Sequence, residues 1–293
     1  MKVSNKKVLI IGAGGIIGQH MIINQPKGVD AIYSRRSKDT VSIWVDFDVN
    51  KQNVHNFLDK INPNVIVNLA GENTVDKVEL DPNKYYDSNV TLPMNICKWA
   101  EENNAQVIQV STQGIFSGDN PPYTPCSIPD PITFYGRQKA LAETLVLQYK
   151  NTKVVRSTFV LGTRPFQNVG RKNPLEMIFE TTNQKQVDDR YFSPVFAFDV
   201  ADVLWDIAQN FSEYDDKIFH LGNPITCSRF SIAKDVQFLI EEDIIVKPAS
   251  YLDFPSHIKR PADTSWQSGQ SIYRTEYKDG LKRSYLEWKK VKQ

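Results

Sequence analysis

Residues 8–18 of this chain read VLIIGAGGIIG, an apolar run that passes directly into a glycine-rich turn. The first four residues predict a buried strand, and the apolar residues from Ile16 onward predict a helix. Glycine at the strand-to-helix turn allows the backbone to turn sharply and a pyrophosphate to reach the amides at the helix amino terminus. The predicted cofactor-binding residues of this turn are Gly12, Gly14, Gly15, Ile16, Ile17 and Gly18.

The spacing of these glycines fits G-x-x-G-x-x-G, with glycine at positions 12, 15 and 18. The tighter G-x-G-x-x-G form would place its last glycine at Ile17, so the wider spacing fits better. A chance tight turn is the alternative, and the strands and helices that surround the turn favour dinucleotide binding.

Short apolar runs continue to alternate with longer amphipathic ones beyond this turn. Predicted strands lie at residues 8–11, 31–33, 41–45, 65–68, 107–111, 154–156 and 217–221, and predicted helices begin near residue 16 or cover residues 51–61, 135–149, 174–182 and 199–211. This rhythm indicates an α/β fold, a Rossmann-type doubly wound parallel sheet with its ligand crevice at the carboxyl ends of the strands. We expect residues 1–162 to form the dinucleotide-binding domain and residues 163–293 to form mainly a smaller C-terminal substrate-binding lobe, interleaved with the sheet.

Composition excludes several classes of protein. The 293 residues carry 35 basic and 34 acidic side chains, and the basic stretch at residues 278–292 also contains acids, so no nucleic-acid partner is expected. Three separated cysteines and four scattered histidines show no metal-ligand spacing, so no metal site is expected. The longest apolar run is interrupted by glycine and is too short to span a bilayer. With no signal peptide visible either, we expect a cytoplasmic protein with no membrane partner.

The end of the second predicted strand bears on the choice of cofactor. The sequence there is YSRRSK over residues 33–38, with two arginines and no carboxylate. An acidic residue at this point favours the free 2′-hydroxyl of NAD, whereas the guanidinium fork of arginine suits the 2′-phosphate of NADP. Arg35 and Arg36 therefore predict NADPH as cofactor, with NADH still possible. The alternative is that both arginines are solvated loop charges.

Three polar residues form a candidate catalytic group. Thr112 ends the fifth predicted strand, and Tyr135 and Lys139 lie four residues apart at the start of a helix, on one helical face. A tyrosine with its ordinary pKa of about 10 is a weak acid at neutral pH, and a nearby ammonium group favours the phenolate. We therefore expect Tyr135 to be a proton donor whose pKa is lowered by Lys139.

These elements together resemble the extended short-chain dehydrogenase/reductase family, and most closely its dTDP-4-dehydrorhamnose reductase branch. NVIVNLAG at 64–71 and TVDKVE at 74–79 resemble that branch's P-D-V-V-I-N-x-A-A and T-A-V-D-x-A-E. Four later segments stand where the branch has its usual motifs. They are STQGIF at 111–116 for S-T-D-Y-V-F, RST at 156–158 for R-T-S, DRYFSP at 189–194 for D-Q-x-G-x-P, and RP at 260–261 for R-P. The resemblance extends over nearly the whole chain.

The resemblance implies NADPH-dependent reduction of a nucleotide-linked 4-keto-6-deoxyhexose. Tyr135 would give a proton to the ketone oxygen, Thr112 would hydrogen-bond that oxygen, and Lys139 would also hold the nicotinamide ribose. The other cofactor contacts that it implies are Asp48 and Val49 at the adenine, with Asp46 as a competitor, and Leu69, Ala70 and Gly71 along the cofactor. The simpler alternatives are that Thr112 caps a strand end and that Asp48 caps the following helix.

Departures from the family pattern bear on the substrate. Gln113 and Gly114 replace the usual Asp and Tyr, and Arg190 and Tyr191 lie in the segment that matches the family's substrate loop, so these four are the predicted substrate-binding residues. Related bifunctional enzymes have a cysteine where Gly114 stands, so we expect reduction without epimerisation. The open alternatives are an epimerase or dehydratase of the same fold, and a non-catalytic NADP-binding regulatory subunit. Family members are often dimers, which leaves a homodimer as an expectation.

Overall fold

The computed structural model describes residues 6–36, 44–166, 172–240, 244–254 and 258–292. Its strands are β1 Lys7–Ile11, β2 Asp30–Arg35, β3 Trp44–Asp46, β4 Val65–Asn68, β5 Gln106–Thr112, β6 Thr152–Ser157, β7 Val160–Leu161, β8 Asn183–Val187, β9 Val195–Phe196, β10 Ile218–Leu221 and β11 Ile245–Ala249. Its α-helices are α1 Ile16–Ile23, α2 Val54–Ile61, α3 Val75–Leu80, α4 Pro82–Tyr86, α5 Leu92–Glu102, α6 Phe134–Val146, α7 Pro174–Glu180, α8 Ala197–Gln209, α9 Arg229–Leu239 and α10 Tyr277–Lys292.

Within the described residues, a sheet of seven parallel strands forms the centre of the molecule, in the order β10-β6-β5-β4-β1-β2-β3. The strand order reverses between β1 and β4, where Ile11 pairs with Asn68. Connections leave these two strands in opposite directions, which opens a crevice at their carboxyl ends. The predicted doubly wound sheet is confirmed, and its switch point lies beside the glycine-rich turn.

Both faces of the sheet are covered, which explains why its strands are apolar at successive positions. Val8 and Ile10 of β1 pack with residues of α1 and α8 on one face. Leu9 and Ile11 pack with residues of α2 and α5 on the other. Because side chains alternate along a strand, an uninterrupted apolar run predicts burial on both sides.

The largest difference from the sequence-based expectation lies between β4 and β5. We predicted no helix there, but the chain forms α3, α4, a π-helical turn at Asp87–Thr91 and α5. Pro82 and Pro93 lie in the first turns of α4 and α5, where a missing N–H is harmless. Helices α3 and α4 are too short to show an apolar period, whereas α5 has apolar residues at helical spacing that could have predicted it.

Smaller differences concern element ends. The helix expected at 51–61 begins at Val54, because the Asn53 side chain accepts a hydrogen bond from Asn56 N–H at 3.2 Å and caps it. The helix expected at 135–149 covers Phe134–Val146. Of the strand expected at 41–45, residues 41–43 lie outside the described residues, and the strand seen is Trp44–Asp46.

The residues after 162 contribute to two places. Helices α7, α9 and α10 enclose a separate apolar cluster and lie beside a small sheet of β8 and β11. These elements and the loops that follow β8 and β11 are called the C-terminal lobe below. The chain returns to the central sheet in α8, which covers one face, and in β10, which forms an edge. None of the described helices is both long and apolar enough to cross a membrane.

Candidate active site

The glycine-rich turn has positions where packing allows no side chain. Gly12 has φ +83°, and a Cβ there would lie 2.7 Å from the Ala70 nitrogen. A Cβ at Gly18 would lie 2.3 Å from the Ala13 Cα. The N–H groups of Gly12 and Ala13 both donate to the Ser34 carbonyl, at 3.1 and 2.9 Å, and hold the turn against β2. Glycine at 12 and 18 is therefore required by the fold itself.

The third glycine of the spacing has a different environment. Gly15 precedes α1 with φ −73°, is exposed, and would place a Cβ no closer than 3.6 Å to the Gly12 carbonyl oxygen. Ile16 and Ile17 begin α1 half-buried, and the Gly14 carbonyl accepts a hydrogen bond from the Gln19 amide at 2.9 Å. At Gly15 the backbone is exposed with no side chain over it, and it lies at the amino terminus of a helix. This surface fits a pyrophosphate.

The turn after β4 faces the glycine-rich turn across the switch point. Leu69 N–H donates to the Ile11 carbonyl at 2.8 Å, and Ala70 N–H donates to Asn68 Oδ1 at 3.1 Å. Gly71 has φ +146°, and a Cβ there would lie 2.8 Å from Asn89 Oδ1. The structure therefore brings Leu69 and Ala70 next to Gly12, and Gly71 follows them toward Asn89.

The arginines after β2 differ in exposure. Arg35 is buried, and its guanidinium carbon lies 5.1 Å from the centroid of the Trp44 ring. Arg36 is exposed, and the following residues 37 and 38 lie outside the described residues. Trp44 in turn makes an edge contact with Phe166, with ring centroids 6.5 Å apart. An aromatic pair thus lies beside Arg35 at this end of the sheet.

Asp48 stabilises a turn and does not cap the following helix. Its carboxylate accepts a hydrogen bond from Asn50 N–H at 3.1 Å and lies 3.8 Å from the Lys51 ammonium. The α2 cap is Asn53, so the helix-capping alternative for Asp48 is wrong. Val49 packs against the core beside α2. A contact of Asp48 or Val49 with adenine stays a prediction.

Two of the three candidate catalytic side chains lie next to each other. Thr133 caps α6 by accepting a hydrogen bond from Gly136 N–H at 3.0 Å, which places Tyr135 in the first turn of the helix. The Thr112 side chain lies close enough to the Tyr135 hydroxyl to lower the pKa of Tyr135. A Cβ at Gly114 would lie 3.4 Å from Tyr135 Cε1 and 3.5 Å from Thr112 Oγ1, so Gly114 lies beside the pair.

The direction of the Tyr135 pKa is opposite to our expectation. Burial raises the pKa of Tyr135 to about 12, although the neighbouring Thr112 side chain lowers it. The Lys139 ammonium instead donates to the Val110 carbonyl at 2.9 Å, and burial lowers the pKa of Lys139 to about 8, against the effect of Glu143. Desolvation outweighs charge attraction here. The phenol therefore stays protonated at neutral pH, which is the form that a proton donor needs.

The predicted substrate residues lie on two parts of the molecule. Gln113 follows Thr112 in a short 3₁₀ turn, and its side-chain oxygen is buried without a hydrogen-bond partner among the described residues. Arg190 and Tyr191 lie in the C-terminal lobe, where the Arg190 guanidinium stacks 4.6 Å from the Tyr251 ring centroid and Tyr191 is 43% exposed. A common binding surface for the two pairs stays a prediction.

Sequence reasoning missed a buried ion pair next to Lys139. Glu143 accepts hydrogen bonds from the Arg156 guanidinium at 2.8 and 3.0 Å, and both side chains are 3% exposed. Arg156 also lies 3.3 Å from His220, which stacks on Trp266, and burial followed by the Arg156 charge lowers the pKa of His220 to about 3. Glu143 follows Lys139 by four residues, the spacing that could have identified it. The pair attaches α6 to β6.

The described residues contain no cluster of three or more His, Cys, Asp or Glu side chains that could hold a metal ion. Sequence reasoning also assigned no role to Asp76 and Glu79, although both belong to the quoted TVDKVE segment. In the structure both carboxylates bind distant parts of the chain: Asp76 pairs with Arg260, and Glu79 accepts hydrogen bonds from the start of α6.

Known proteins resemble the chain along nearly all of its length. The sequence profile of the RmlD substrate binding domain matches residues 6–287. A dTDP-4-dehydrorhamnose reductase from Aggregatibacter actinomycetemcomitans is 27% identical, over 96% of this chain and 99% of the relative. Methionine adenosyltransferase 2 subunit beta from Rattus norvegicus is 30% identical, over 50% of this chain and 45% of the relative.

A solved structure extends the likeness to the fold. The dTDP-4-dehydrorhamnose reductase from Bacillus anthracis, crystallised in complex with NADP, has a TM-score of 0.82 and 23% identity, and the match covers 97% of this chain and 99% of that one. The central sheet and the C-terminal lobe are therefore both part of a known architecture.

Proposed function

This chain belongs to the RmlD substrate binding domain family, and from that premise we propose that it is an NADPH-dependent reductase of a nucleotide-linked 4-keto-6-deoxyhexose. The observation that carries the proposal is that Thr112 and the buried Tyr135 lie together beside Gly114 at the carboxyl end of the sheet. The reductase from Aggregatibacter actinomycetemcomitans, aligned over nearly the whole chain, supports the substrate class. The product would be a deoxysugar nucleotide, such as dTDP-L-rhamnose, for polysaccharide synthesis.

The cofactor would lie across the switch point. The amides around Gly15 would hold the pyrophosphate, since no side chain blocks them and the helix amino terminus favours negative charge. Arg35 and Arg36 would bind the 2′-phosphate, and Lys139 the nicotinamide ribose. The chemistry that NADPH supplies when bound is transfer of a hydride to the ketone carbon.

The chain's own residues would handle the oxygen and its proton. Tyr135 donates its phenolic proton to the ketone oxygen as negative charge develops there. The Thr112 hydroxyl, which lies beside Tyr135, stabilises the same oxygen. Lys139 is a cation below about pH 8 and favours the phenolate that remains after proton transfer.

We further propose that the enzyme reduces without epimerising. Gly114 contributes no side chain at the point next to Tyr135 where an acid or base for C3 and C5 would act. The purified protein should therefore exchange no C3 or C5 protons of its substrate with deuterated solvent, as followed by NMR. Observed exchange would contradict this part of the proposal.

The experiment for the main proposal is an NADPH absorbance assay. The protein is incubated with dTDP- and UDP-4-keto-6-deoxyglucose, each with and without a separate 3,5-epimerase. NADPH oxidation that depends on the epimerase supports the proposed reductase and identifies its nucleotide. Oxidation with none of the four mixtures contradicts it and favours the alternative of a non-catalytic NADP-binding regulatory subunit.

A further inference from the structure

The short helix α3 lies between the start of α6 and the C-terminal lobe. We propose that contacts of α3 fix the position of Tyr135 relative to that lobe, and that Glu79 is a positioning residue for Tyr135. This inference rests on the proposed function, since Tyr135 is the proton donor of that reaction.

The first contact is between Glu79 and the backbone of the proton donor. Glu79 Oε1 accepts hydrogen bonds from Phe134 N–H and from Tyr135 N–H, the latter at 3.3 Å. The first N–H groups of a helix have no acceptor within the helix, and a carboxylate near them is favourable. Thr133 accepts a further one, from Gly136. The backbone of Tyr135 is therefore held by a residue of another helix, 56 positions away in the sequence.

The second contact joins α3 to the C-terminal lobe. Asp76 Oδ2 accepts a hydrogen bond from the Arg260 guanidinium at 2.7 Å. Arg260 Nε donates to the Tyr251 hydroxyl at 3.0 Å, and the Tyr251 ring lies under Arg190, one of the predicted substrate residues. Helix α3 thus bears one carboxylate that binds the C-terminal lobe and one that binds the start of α6.

The amino-terminal end of α3 is also attached to α6. Thr74 N–H donates to the Glu72 carboxylate at 2.9 Å, and Glu72 N–H donates to Asn89 Oδ1 at 2.8 Å. The Asn89 amide donates to Gln138 Oε1 at 2.9 Å, and Gln138 lies on α6 between Tyr135 and Lys139. Because the helix is held at both ends, a displacement of α3 would be transmitted to Tyr135.

The test compares Glu79→Ala with Glu79→Gln, with Glu102→Ala as the matched control at the exposed end of α5. Loss of the acceptor in Glu79→Ala should lower kcat roughly 10- to 100-fold, because small misplacements of a catalytic group are costly. The KM for NADPH should stay within about twofold. Glu79→Gln keeps an acceptor oxygen and should recover most of kcat, and Glu102→Ala should behave as the wild type. A wild-type kcat in Glu79→Ala would overturn the role of Glu79.

Hydrogen exchange separates this inference from the proposed function, since it needs no substrate. Amide exchange in the peptide that contains residues 133–137 should be faster in Glu79→Ala than in the wild type, while exchange in β1 is unchanged. A uniform increase through the whole protein, together with a lower melting temperature, would indicate general destabilisation and contradict the positioning role. If the wild type reduces no sugar nucleotide, the proposed function fails while the exchange result still decides the role of Glu79.

The lobe contact is tested by Asp76→Ala and by the double variant Asp76→Ala/Glu79→Ala. If α3 couples the lobe to Tyr135, Asp76→Ala lowers kcat and the double variant is about as slow as Glu79→Ala alone. The reason is that substitutions within one network of contacts do not have additive effects on kcat. Fully additive effects, or no effect of Asp76→Ala, would show that the lobe is not coupled to Tyr135 through α3.

Discussion

The switch-point crevice and the proton-delivery site are built in contrasting ways. At the crevice, the turn after β1 and the turn after β4 approach until a single Cβ at Gly12 would clash with the Ala70 backbone. At the proton-delivery site of Thr112, Tyr135 and Lys139, distant segments hold the donor in place: the Glu79 carboxylate accepts a hydrogen bond from the Tyr135 N–H, and Asp76 on the same helix pairs with Arg260, 184 positions away. The first site depends on where side chains are absent, and the second on how distant ones are held. Substitutions should therefore affect the two sites separately.

The largest expected effect separates the chemistry from cofactor binding. Tyr135→Phe removes the proton donor but keeps the ring, so kcat should fall roughly 10²- to 10⁴-fold. NADPH affinity, measured by fluorescence titration, should hardly change, and Tyr149→Phe serves as the matched control outside the site. An equal loss of affinity in Tyr135→Phe would mean that the two sites are not separable.

The next effect distinguishes two glycines of the same turn. Gly12→Ala places a Cβ at positive φ and 2.7 Å from backbone, so the free energy of unfolding should fall by roughly 1–3 kcal/mol or more. Gly15→Ala meets only ordinary contacts and should keep the melting temperature of the wild type, while the added methyl group weakens NADPH binding. Calorimetry and cofactor titration check both. Equal stability of the two variants would contradict the packing argument.

A pH profile tests the charge of Lys139. Burial lowers the pKa of Lys139 to about 8, so its ammonium is present below that pH and is lost as the pH rises through it. Tyr135, with a pKa of about 12, keeps its proton over the same range. The kcat should therefore be level near neutral pH and decrease by about tenfold per unit above pH 8. In Lys139→Arg the charge persists, so the decrease of kcat at alkaline pH should disappear. If the decrease remains in this variant, it arises from another group.

The smallest expected effect concerns cofactor choice. Arg35→Ala and Arg36→Ala should each weaken NADPH binding by about tenfold, the size of one charge-assisted hydrogen bond, and leave NADH binding nearly unchanged. Titration of both variants with both cofactors measures the difference. If neither variant changes the ratio, the two arginines do not select the cofactor.

Much of the crevice could be predicted because its information is local. The runs at Val8–Ile11 and Val65–Asn68 are apolar at every or nearly every position, which predicts strands buried on both faces. Glycine spacing then predicts the turn. Helices α3 and α4 could not be predicted in this way, since they are too short to show an apolar period, and α3 is held by contacts with α6 and the C-terminal lobe.

By itself, the sequence determined the doubly wound sheet, the glycine-rich turn and the four-residue spacing of Tyr135 and Lys139, because each follows from a local pattern of side chains. The tertiary structure alone decided that the pKa of Tyr135 is raised and that Lys139 binds the Val110 carbonyl. It also decided that Glu79 accepts hydrogen bonds from the start of α6. The physical reason is that desolvation and hydrogen bonding depend on which distant groups surround a residue, and only the folded chain brings those groups together.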